Sequence, residues 1–144
     1  MTGKEFRERL ETEDFRFFIQ YKGDAKCDNG WKLSIQGKTL DDCEDLFNRL
    51  IGLLMITKCS FKFGTKRFIN YGESLQYNKL LTVYIPNGVD PTSFGELVYL
   101  HLEGYNGHEG LDQPNSYEHY KGPIYYRNDR DENGQYISAN EKIS

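Results

Sequence analysis

Positively charged side chains interrupt segments of this sequence that are otherwise apolar. Lys32 lies in the segment WKLSIQ and Lys62 in SFKFG, while Lys79 opens KLLTVYI and Arg127 closes PIYYR. Converging lysine and arginine side chains bind phosphate oxygens through charge-assisted hydrogen bonds. A lysine that is kept from water also loses its proton more readily and can act as a base. These positions therefore indicate a phosphate site, a general base, or both.

The chain is acidic overall, so these cations form a local excess of positive charge. Its 144 residues carry 18 Lys and Arg against 22 Asp and Glu, a net charge of -4, which argues against a partner such as duplex nucleic acid. Between residues 58 and 67 the sequence nevertheless has four cations and no acid. The alternative interpretation is that these side chains form only the solvent-exposed face of an open sheet.

The sequence has no motif for a metal, a cofactor or a catalytic nucleophile. None of the three histidines, at positions 101, 108 and 119, pairs with a cysteine or carboxylate at the spacing of metal ligands. The three cysteines form no C-x-x-C pair, so we expect reduced thiols. We expect neither a metal nor a cofactor.

Short strands and two main helices are predicted to position the cations. Strands are predicted at residues 15–21, 31–36, 60–63, 79–85 and 123–127. Thr39 is the predicted N-cap of one main helix, which carries apolar residues at a spacing of three to four up to Leu54. Asp90, followed by proline, begins the other main helix. A short charged helix is predicted at residues 1–12, and irregular segments at residues 64–78 and 105–121.

This order of elements predicts an α+β fold with a mostly antiparallel sheet and two main helices packed on one face. We expect one domain over residues 1–127 and a polar, flexible tail over residues 128–144. One face of a sheet carries every second side chain, so Lys32 and Lys62 can point at one ligand if their strands are neighbours. The sequence has no apolar run of the about 18–20 residues that a membrane helix needs and no signal peptide at its start. We therefore expect a cytoplasmic protein without membrane contact.

The motifs WKLS, SFKF, NKLLTVYIP and GPIYYR, in this order, resemble the N-terminal lyase domain of class III lanthipeptide synthetases. That domain is in turn similar to the phosphothreonine lyase effectors of pathogenic bacteria. The family pattern has a W-K-apolar-H strand, a helix, an F-K-F strand, a strand with T-V-Y-P and a strand ending in Y-Y-R. The resemblance runs from residue 31 to residue 127.

The resemblance implies elimination of phosphate from phosphoserine or phosphothreonine. In that family a lysine removes the α proton, a histidine protonates the leaving group, and lysine and arginine side chains hold the phosphate. On this sequence Lys62 falls on the position of the base. Lys32, Arg67, Lys79 and Arg127 fall on or near the positions that hold phosphate.

The sequence departs from the family pattern at the position of the acid, which is Ser34 here. A serine hydroxyl cannot act as a general acid near neutral pH, whereas a histidine can. His119 is the candidate replacement for that acid. The family also has an arginine before its last strand, and His119 or Lys121 falls near that position here. Trp31 and Tyr126 are candidate surfaces on which a nucleotide base could stack.

Three functions stay open at this stage. The first is sequestration of a phosphorylated small molecule, such as a nucleotide-type signal, or of a phosphopeptide. Small phage proteins that trap nucleotide immune signals work in this way, and such a protein would act in the host cytoplasm. The second is an active lyase or another phosphate-cleaving enzyme with Lys62 as its base, so the sequence does not decide whether the chain is an enzyme. The third is a protein-interaction module, and a homo-oligomer is compatible with all three.

Overall fold

Four helices and six strands make up the part of the chain that the computed structural model describes, residues 1–71, 79–114, 116–130 and 133–135. The helices are α1 (Gly3–Thr12), α2 (Leu40–Thr57), α3 (Lys66–Tyr71) and α4 (Pro91–Leu100). The strands are β1 (Phe18–Tyr21), β2 (Trp31–Gln36), β3 (Ser60–Gly64), β4 (Lys79–Tyr84), β5 (Glu118–Lys121) and β6 (Ile124–Asn128). The predicted α+β class is confirmed.

The strands form one sheet in the order β1-β3-β4-β2-β6-β5. Every neighbouring pair in it is antiparallel. In the central strand β2 the sequence alternates, so Leu33 and Ile35 point to one face while Ser34 and Gln36 point to the other. All four of these side chains are buried. The second face of the sheet is therefore covered at its centre and is not a plain solvent surface.

Helices α1, α2 and α4 cover the face of the sheet that carries Leu33. Phe6 of α1 packs against Phe47 of α2 and Phe63 of β3, with ring centres 4.5 and 4.9 Å apart. Val98 of α4 belongs to the same buried core, and α4 contacts β2, β5 and β6. Among the described residues, no helix combines the length and the apolar character needed to cross a bilayer.

The predicted starts of the two main helices are confirmed. The Thr39 hydroxyl accepts a hydrogen bond from the Asp42 N–H at 3.1 Å, and the Asp42 carboxylate accepts one from the Thr39 N–H at 3.1 Å. The Asp90 carboxylate accepts from the Ser93 N–H at 2.9 Å, with Pro91 in the first helical position. These side chains satisfy backbone donors that have no partner within the helix, and they fix where α2 and α4 begin.

Two segments that the sequence predicts to be irregular contain regular structure. Helix α3 lies within residues 64–78, and strand β5 lies within residues 105–121. Helix α3 has only six residues, and one of them, Phe68, is buried against Phe18 at a ring-centre distance of 4.8 Å. So short a helix depends on a tertiary contact rather than on periodicity or a cap. The rest of this predicted segment, residues 72–78, lies outside the described residues.

The first residues of the predicted flexible tail, 128–144, extend the sheet. Asn128 is the last residue of β6, and the N–H of Asp129 donates to the carbonyl of Gly30 at 2.8 Å. A guanidinium nitrogen of Arg130 donates to the carbonyl of Gly134 at 3.0 Å. Residues 131–132 and 136–144 lie outside the described residues, so the boundary at residue 127 stays a prediction.

Candidate functional site

One row of side chains crosses the sheet on the face opposite helices α1, α2 and α4, which we name the polar face. Lys62 on β3 and Ser34 on β2 each lie directly opposite Thr82 on β4. Ser34 also lies opposite Tyr125 on β6, which in turn lies opposite His119 on β5. Directly opposite residues in neighbouring strands share a face. The five side chains therefore form a line across the sheet.

A second set of cations lies on the polar face beside this row. Lys32 is directly opposite Arg127 on β6 and Tyr84 on β4, so it lies two residues along β2 from Ser34. Lys79, the first residue of β4, is paired with Gln36 where the ladder between β2 and β4 shifts register. Four of the predicted site cations therefore come from β2, β3, β4 and β6, the inner strands of the sheet.

The ring of Tyr117 is the point on which three of these cations converge. Its centre lies 4.7 Å from Nζ of Lys79, 5.8 Å from Nζ of Lys32 and 6.0 Å from Cζ of Arg127. The ring is only 4% exposed, and an aromatic face attracts cations. We call Lys32, Lys62, Lys79 and Arg127 the cation cluster. The sequence offers Tyr117 as one of several loop tyrosines on which a base could stack, but it does not predict this contact with the cations, because the contact depends on a loop that returns to the sheet.

Lys62 occupies the side of the cation cluster nearest to the edge strand β1. Its ammonium group lies 4.3 Å from the centre of the Phe18 ring. That ring packs in turn against Phe68 of α3. Helix α3 therefore supports the aromatic ring against which the half-buried Lys62 side chain lies.

Asp129 forms ion pairs with the cation cluster. One carboxylate oxygen lies 3.1 Å from Nζ of Lys32 and the other 3.3 Å from Nε of Arg127, and the Asp129 side chain is 16% exposed. Asp129 falls within the predicted tail, and none of the motifs described above includes it. Its position two residues after Arg127 is the signal that could have found it, because alternate residues of an extended segment share a face.

Burial lowers the pKa of all three lysines in the cation cluster. The pKa of Lys79 falls from 10.5 to about 7, first through desolvation and then through the neighbouring charges of Lys32 and Arg127. Desolvation and then the charge of Lys32 lower the pKa of Lys62. Desolvation also lowers the pKa of Lys32, against the opposing effect of Asp129. Burying several positive charges side by side is costly, so a bound anion would offset part of that cost.

Ser34 contributes a buried hydroxyl at the centre of the row. Its side chain is 0% exposed, and among the described residues its Oγ has no hydrogen-bond partner. The neighbouring Gln36 is different, because its side-chain amide donates to the carbonyl of Asp112 at 2.7 Å. A buried hydroxyl without a partner costs free energy, so Ser34 is suited to bond a ligand or a water molecule.

Two of the predicted phosphate-binding residues do not join the cation cluster. Arg67 is exposed on α3, where one guanidinium nitrogen donates to the carbonyl of Phe15 at 3.0 Å and the group lies 4.8 Å from the Phe17 ring centre. Lys121 is exposed on β5, and its ammonium lies 3.0 Å from the Glu96 carboxylate of α4. Both side chains make local contacts at the margins of the sheet.

The predicted stacking residues lie on the other face of the sheet. Trp31 and Tyr126 alternate with Lys32 and Arg127, so they point toward the helices, and their ring centres are 5.9 Å apart. They pack against the hydrophobic core. The structure therefore does not bring these two rings together with the cation cluster.

His119 lies on the polar face but at a distance from Ser34. Its Nε2 is 2.9 Å from the carbonyl oxygen of Gly122, and its ring packs against Tyr125 at 4.6 Å. One strand, β6, separates His119 from Ser34, so their backbones are about 10 Å apart. In this conformation the imidazole is tied to the exposed edge of the sheet.

Open space adjoins the cation cluster at the end of β4. A cavity of about 720 Å³ is lined by Gln20, Ser60 and Tyr84 from the sheet and by Lys22 and Lys26 from the loop after β1, among others. Because Tyr84 is directly opposite Lys32, this cavity begins beside the cluster. If the cation cluster binds a phosphoryl group, the cavity has room for the rest of that ligand.

The described side chains outside the cation cluster are less suited to metal binding or to nucleophilic attack. Among the described residues, no group of three or more His, Cys, Asp or Glu side chains is placed to hold a metal ion. Burial raises the pKa of the Cys59 thiol, which makes it a poor nucleophile because the thiolate is the reactive form. The cation cluster and the row through Ser34 are therefore the arrangement best suited to bind or transform an anionic ligand.

The fold is of the phosphothreonine lyase type. The phosphothreonine lyase SpvC, an effector protein from Salmonella, superposes with a TM-score of 0.57 at 19% identity, covering 80% of this chain and 65% of that chain. The VirA (SpvC) phosphothreonine lyase effector of Chromobacterium violaceum gives 0.52 at 20% identity, covering 78% and 61%. A point mutant of Salmonella SpvC gives 0.53 at 18% identity, covering 79% and 62%.

The likeness to these lyases is one of fold. This chain spans less than two thirds of the length of each of the three structures. No protein-family model matches the sequence, and no curated protein matches it. The comparisons therefore define the fold of this chain and leave its function to its own side chains.

Proposed function

We propose that the cation cluster binds the phosphoryl group of a phosphorylated ligand and retains it without cleaving it. The observation that carries this proposal is the convergence of Lys32, Lys79 and Arg127 on the buried ring of Tyr117. Lysine and arginine on a sheet surface usually extend into water. Here Lys79 is 5% exposed and Arg127 is 4% exposed, so a purely solvating role does not account for them.

The charges of the cluster favour a doubly charged ligand. Asp129 forms ion pairs with two of the four cations of the cluster, Lys32 and Arg127. A phosphoryl monoester carries about 1.5 to 2 negative charges at pH 7 and three acceptor oxygens. Such a group would accept charge-assisted hydrogen bonds from several of these donors at once.

Retention without cleavage is supported by the residue at the acid position. Elimination of phosphate is faster when an acid protonates the leaving group, and the sequence resemblance places the family's histidine at Ser34. A serine hydroxyl does not supply a proton near neutral pH. His119, the other candidate acid, lies two strands away and contacts the Gly122 carbonyl. On this proposal the chain keeps the phosphate-binding cations and lacks the acid.

The ligand is defined by its phosphoryl group, and two classes of molecule share that group. A phosphopeptide or a nucleotide-type signal could place its phosphate on the cluster and its remaining atoms in the cavity beside Tyr84. Tight binding without turnover would sequester either ligand from its other partners. The sequence motifs that resemble the lyase domain of lanthipeptide synthetases also support binding of a phosphorylated ligand.

A second function, β-elimination, is favoured by the lowered pKa of Lys62. A neutral Lys62 could take the α proton of a phosphothreonine. The electron pair of that bond would form the Cα–Cβ double bond, and the bond from Cβ to oxygen would break with its electrons leaving on phosphate. The products would be a dehydrated residue and inorganic phosphate, so the reaction balances without water or a cofactor.

Calorimetry combined with mass spectrometry tests both functions. The full chain is titrated with a phosphothreonine peptide, the same peptide without phosphate, and a set of cyclic and linear nucleotides. The proposal expects binding that requires the phosphate, with the ligand recovered intact after long incubation. Loss of phosphoric acid from the peptide would establish the lyase instead.

Thermal unfolding separates a ligand binder from a protein-interaction module. A ligand present at 100 times its Kd adds about 2.7 kcal/mol to the free energy of unfolding. We expect a shift of this size with a phosphorylated ligand, and none with its unphosphorylated counterpart. If no phosphorylated ligand stabilises the protein, the interaction module becomes the better interpretation.

A further inference from the structure

A cavity of about 470 Å³ lies where helix α4 ends against the turn between β5 and β6. Tyr99 and Leu100 line it from the last turn of α4, Tyr105 and His108 from the loop that follows, and Gly122 from the turn. A Cβ atom at Gly122 would lie 3.5 Å from the Tyr99 ring, so the turn packs directly against the end of the helix. The cavity shares no lining residue with the cation cluster or with the cavity beside it. It is therefore a separate site, which we name the α4 cavity.

Three rings line the α4 cavity. The Tyr105 hydroxyl donates to the carbonyl of Gln36 at 2.6 Å, and its ring is almost fully buried, so its position is fixed. The His108 ring lies nearly parallel to it, with ring centres 6.3 Å apart and 22° between the planes. The Tyr99 ring already attracts one cation, since the Lys121 ammonium lies 5.4 Å from its centre. Because the faces of aromatic rings attract positive charge, this lining favours a cation over an anion.

The acidic side chain of the lining is available to a ligand. Glu103 is the only acid among the described residues that line the α4 cavity, and no lysine or arginine lines it. Arg49 of α2 donates to the backbone carbonyl of Glu103 at 2.5 Å, but its own ion pair is with Asp45 at 2.8 Å. Lys121 lies 3.0 Å from the carboxylate of Glu96. The neighbouring cations therefore have their own acids, while the exposed Glu103 carboxylate has no ion-pair partner in the described part of the chain.

The end of α4 adds partial negative charge to the same place. The last carbonyl groups of a helix have no partner within it and form the negative end of the helix dipole. Helix α4 has no basic residue in its last turn. The carbonyls of Val98 and Tyr99 accept from the N–H groups of His101 and Leu102 at 3.0 Å. The carbonyl of Leu100, a lining residue, has no such partner in the segments that the structure describes.

His108 contributes a third acceptor. Its Nδ1 is buried and has no hydrogen-bond partner among the described residues. In a neutral imidazole that carries its proton on Nε2, Nδ1 is an acceptor. A buried polar atom without a partner costs free energy, so an N–H group of a ligand would relieve that cost.

We propose that the α4 cavity binds a protonated primary amine that carries a compact apolar group. An ammonium group has three N–H donors, as many as the acceptors offered by Glu103, Leu100 and His108. The apolar group would pack against Tyr105 and Pro123, which are both buried. A quaternary ammonium ion has the charge without the donors, and an alcohol has a donor without the charge. This inference goes beyond the proposed function and does not rest on it.

A titration of the full chain with phenethylamine, followed by two-dimensional NMR at pH 7, tests the proposal. We expect saturable shifts of the backbone amides of residues 102–108 and 122, with a dissociation constant of about 1 mM or lower. Phenethyl alcohol, phenylacetate and the trimethylammonium analogue of phenethylamine have the same ring. Each should bind at least tenfold more weakly, about 1.4 kcal/mol. Shifts that do not saturate, or that lie outside these residues, would reject the site.

The three analogues also test the chemical class of the ligand. Equal affinity for phenethyl alcohol would mean that the cavity binds apolar molecules regardless of charge. Equal affinity for the trimethylammonium analogue would mean that the N–H donors play no part. Either result overturns the primary amine as the ligand.

Variants of the lining locate the ammonium group. Glu103→Gln keeps the size of the side chain and removes its charge, so it should weaken phenethylamine binding at least fivefold. Leu100→Lys, at an exposed position, places a cation at the cavity and should weaken binding at least tenfold. His108→Phe keeps a ring and removes Nδ1, which should cost several-fold. Glu8→Gln, at an exposed position of α1, is the matched control that should change nothing.

Circular dichroism establishes that each variant is folded before its affinity is compared. Glu103 and Leu100 are exposed, so their substitution keeps the test valid even if His108→Phe does not fold. Wild-type affinity in both Glu103→Gln and Leu100→Lys would reject the α4 cavity as the ammonium site.

Discussion

Lys62 and Ser34 lie two strands apart on the polar face, each directly opposite Thr82. Opposite Cα atoms in antiparallel strands are about 4.5–5.5 Å apart, so the two backbones are separated by about 10 Å. A lysine and a shorter side chain at that separation can both reach a ligand placed over Thr82. The sheet therefore directs the side chains at the predicted base position and the predicted acid position toward the same point above Thr82.

Replacing Lys62 tests whether the cation cluster is the phosphate site. We expect Lys62→Met to weaken binding of a phosphorylated ligand by more than tenfold, about 1.4 kcal/mol or more, because the ammonium is lost while the apolar stem is kept. Arg127→Ala should have at least the same effect. Isothermal titration calorimetry measures both changes, and Lys4→Met, at an exposed position of α1, is the matched control. Unchanged affinity in both cluster variants would remove these residues from the site.

Installing a histidine at position 34 tests whether the missing acid accounts for the proposed retention of the ligand. We expect Ser34→His to release inorganic phosphate from a phosphothreonine peptide, because an imidazole can protonate the leaving group near neutral pH. The release is followed with a colorimetric phosphate assay and by the mass of the dehydrated peptide. The rate should rise at least tenfold above that of the wild-type chain.

Ser34→Asn is the control for this gain of activity. Asparagine is similar in size to histidine but has no titratable proton, so it should bind the peptide and leave it intact. Because residue 34 is fully buried, a thermal melt must first establish that both variants fold. A folded Ser34→His protein that binds the peptide without eliminating phosphate would contradict the acid assignment at this position.

The sequence alone predicts the elements that present the cations. Alternation in WKLSIQ gives the bounds of β2, Trp31–Gln36, and the side of the sheet on which Lys32 lies. The reciprocal caps between Thr39 and Asp42 define the start of α2. These features are local, because they depend on side-chain spacing and on short-range hydrogen bonds.

The remaining parts of the site depend on contacts between distant segments. Tyr117 reaches the cluster because the loop before β5 returns to the sheet, and no local pattern encodes that return. Helix α3 is stabilised by the contact of Phe68 with Phe18, some fifty positions apart in the chain. Trp31 illustrates a further difficulty, because its aromatic character suggests stacking while its place in the alternation turns it toward the core.

Asp129 is expected to compete with the ligand. Its carboxylate pairs with Lys32 and Arg127, so it uses two of the cations that a phosphoryl group needs and repels the negative charge of that group. Asp129→Asn should therefore raise the affinity for the phosphorylated ligand several-fold. It should also lower the free energy of unfolding by about 1–3 kcal/mol, because Lys32 and Arg127 lose an ion pair with this carboxylate. A loss of affinity in calorimetry would show instead that Asp129 positions the cations.

Lys79 is expected to reduce the stability of the unliganded protein. Its pKa falls from 10.5 to about 7 on folding, so the unfolded chain binds a proton between these pH values that the folded chain releases. The free energy of unfolding therefore rises with pH across this window. The destabilising contribution of Lys79 to the free energy of unfolding has its full size below pH 7 and vanishes as the pH approaches 10.5.

Lys79→Met removes this cost while it also removes a cation from the cluster. At pH 6 we expect the variant to be more stable than the wild-type chain by about 2 kcal/mol or more, and to bind a phosphorylated ligand at least tenfold more weakly. The difference in stability should shrink steadily as the pH is raised from 7 to 10. Urea unfolding at several pH values, followed by circular dichroism, measures it, with Lys4→Met as the exposed control. A constant or negative difference across this range would mean that Lys79 keeps its ordinary pKa in the folded protein.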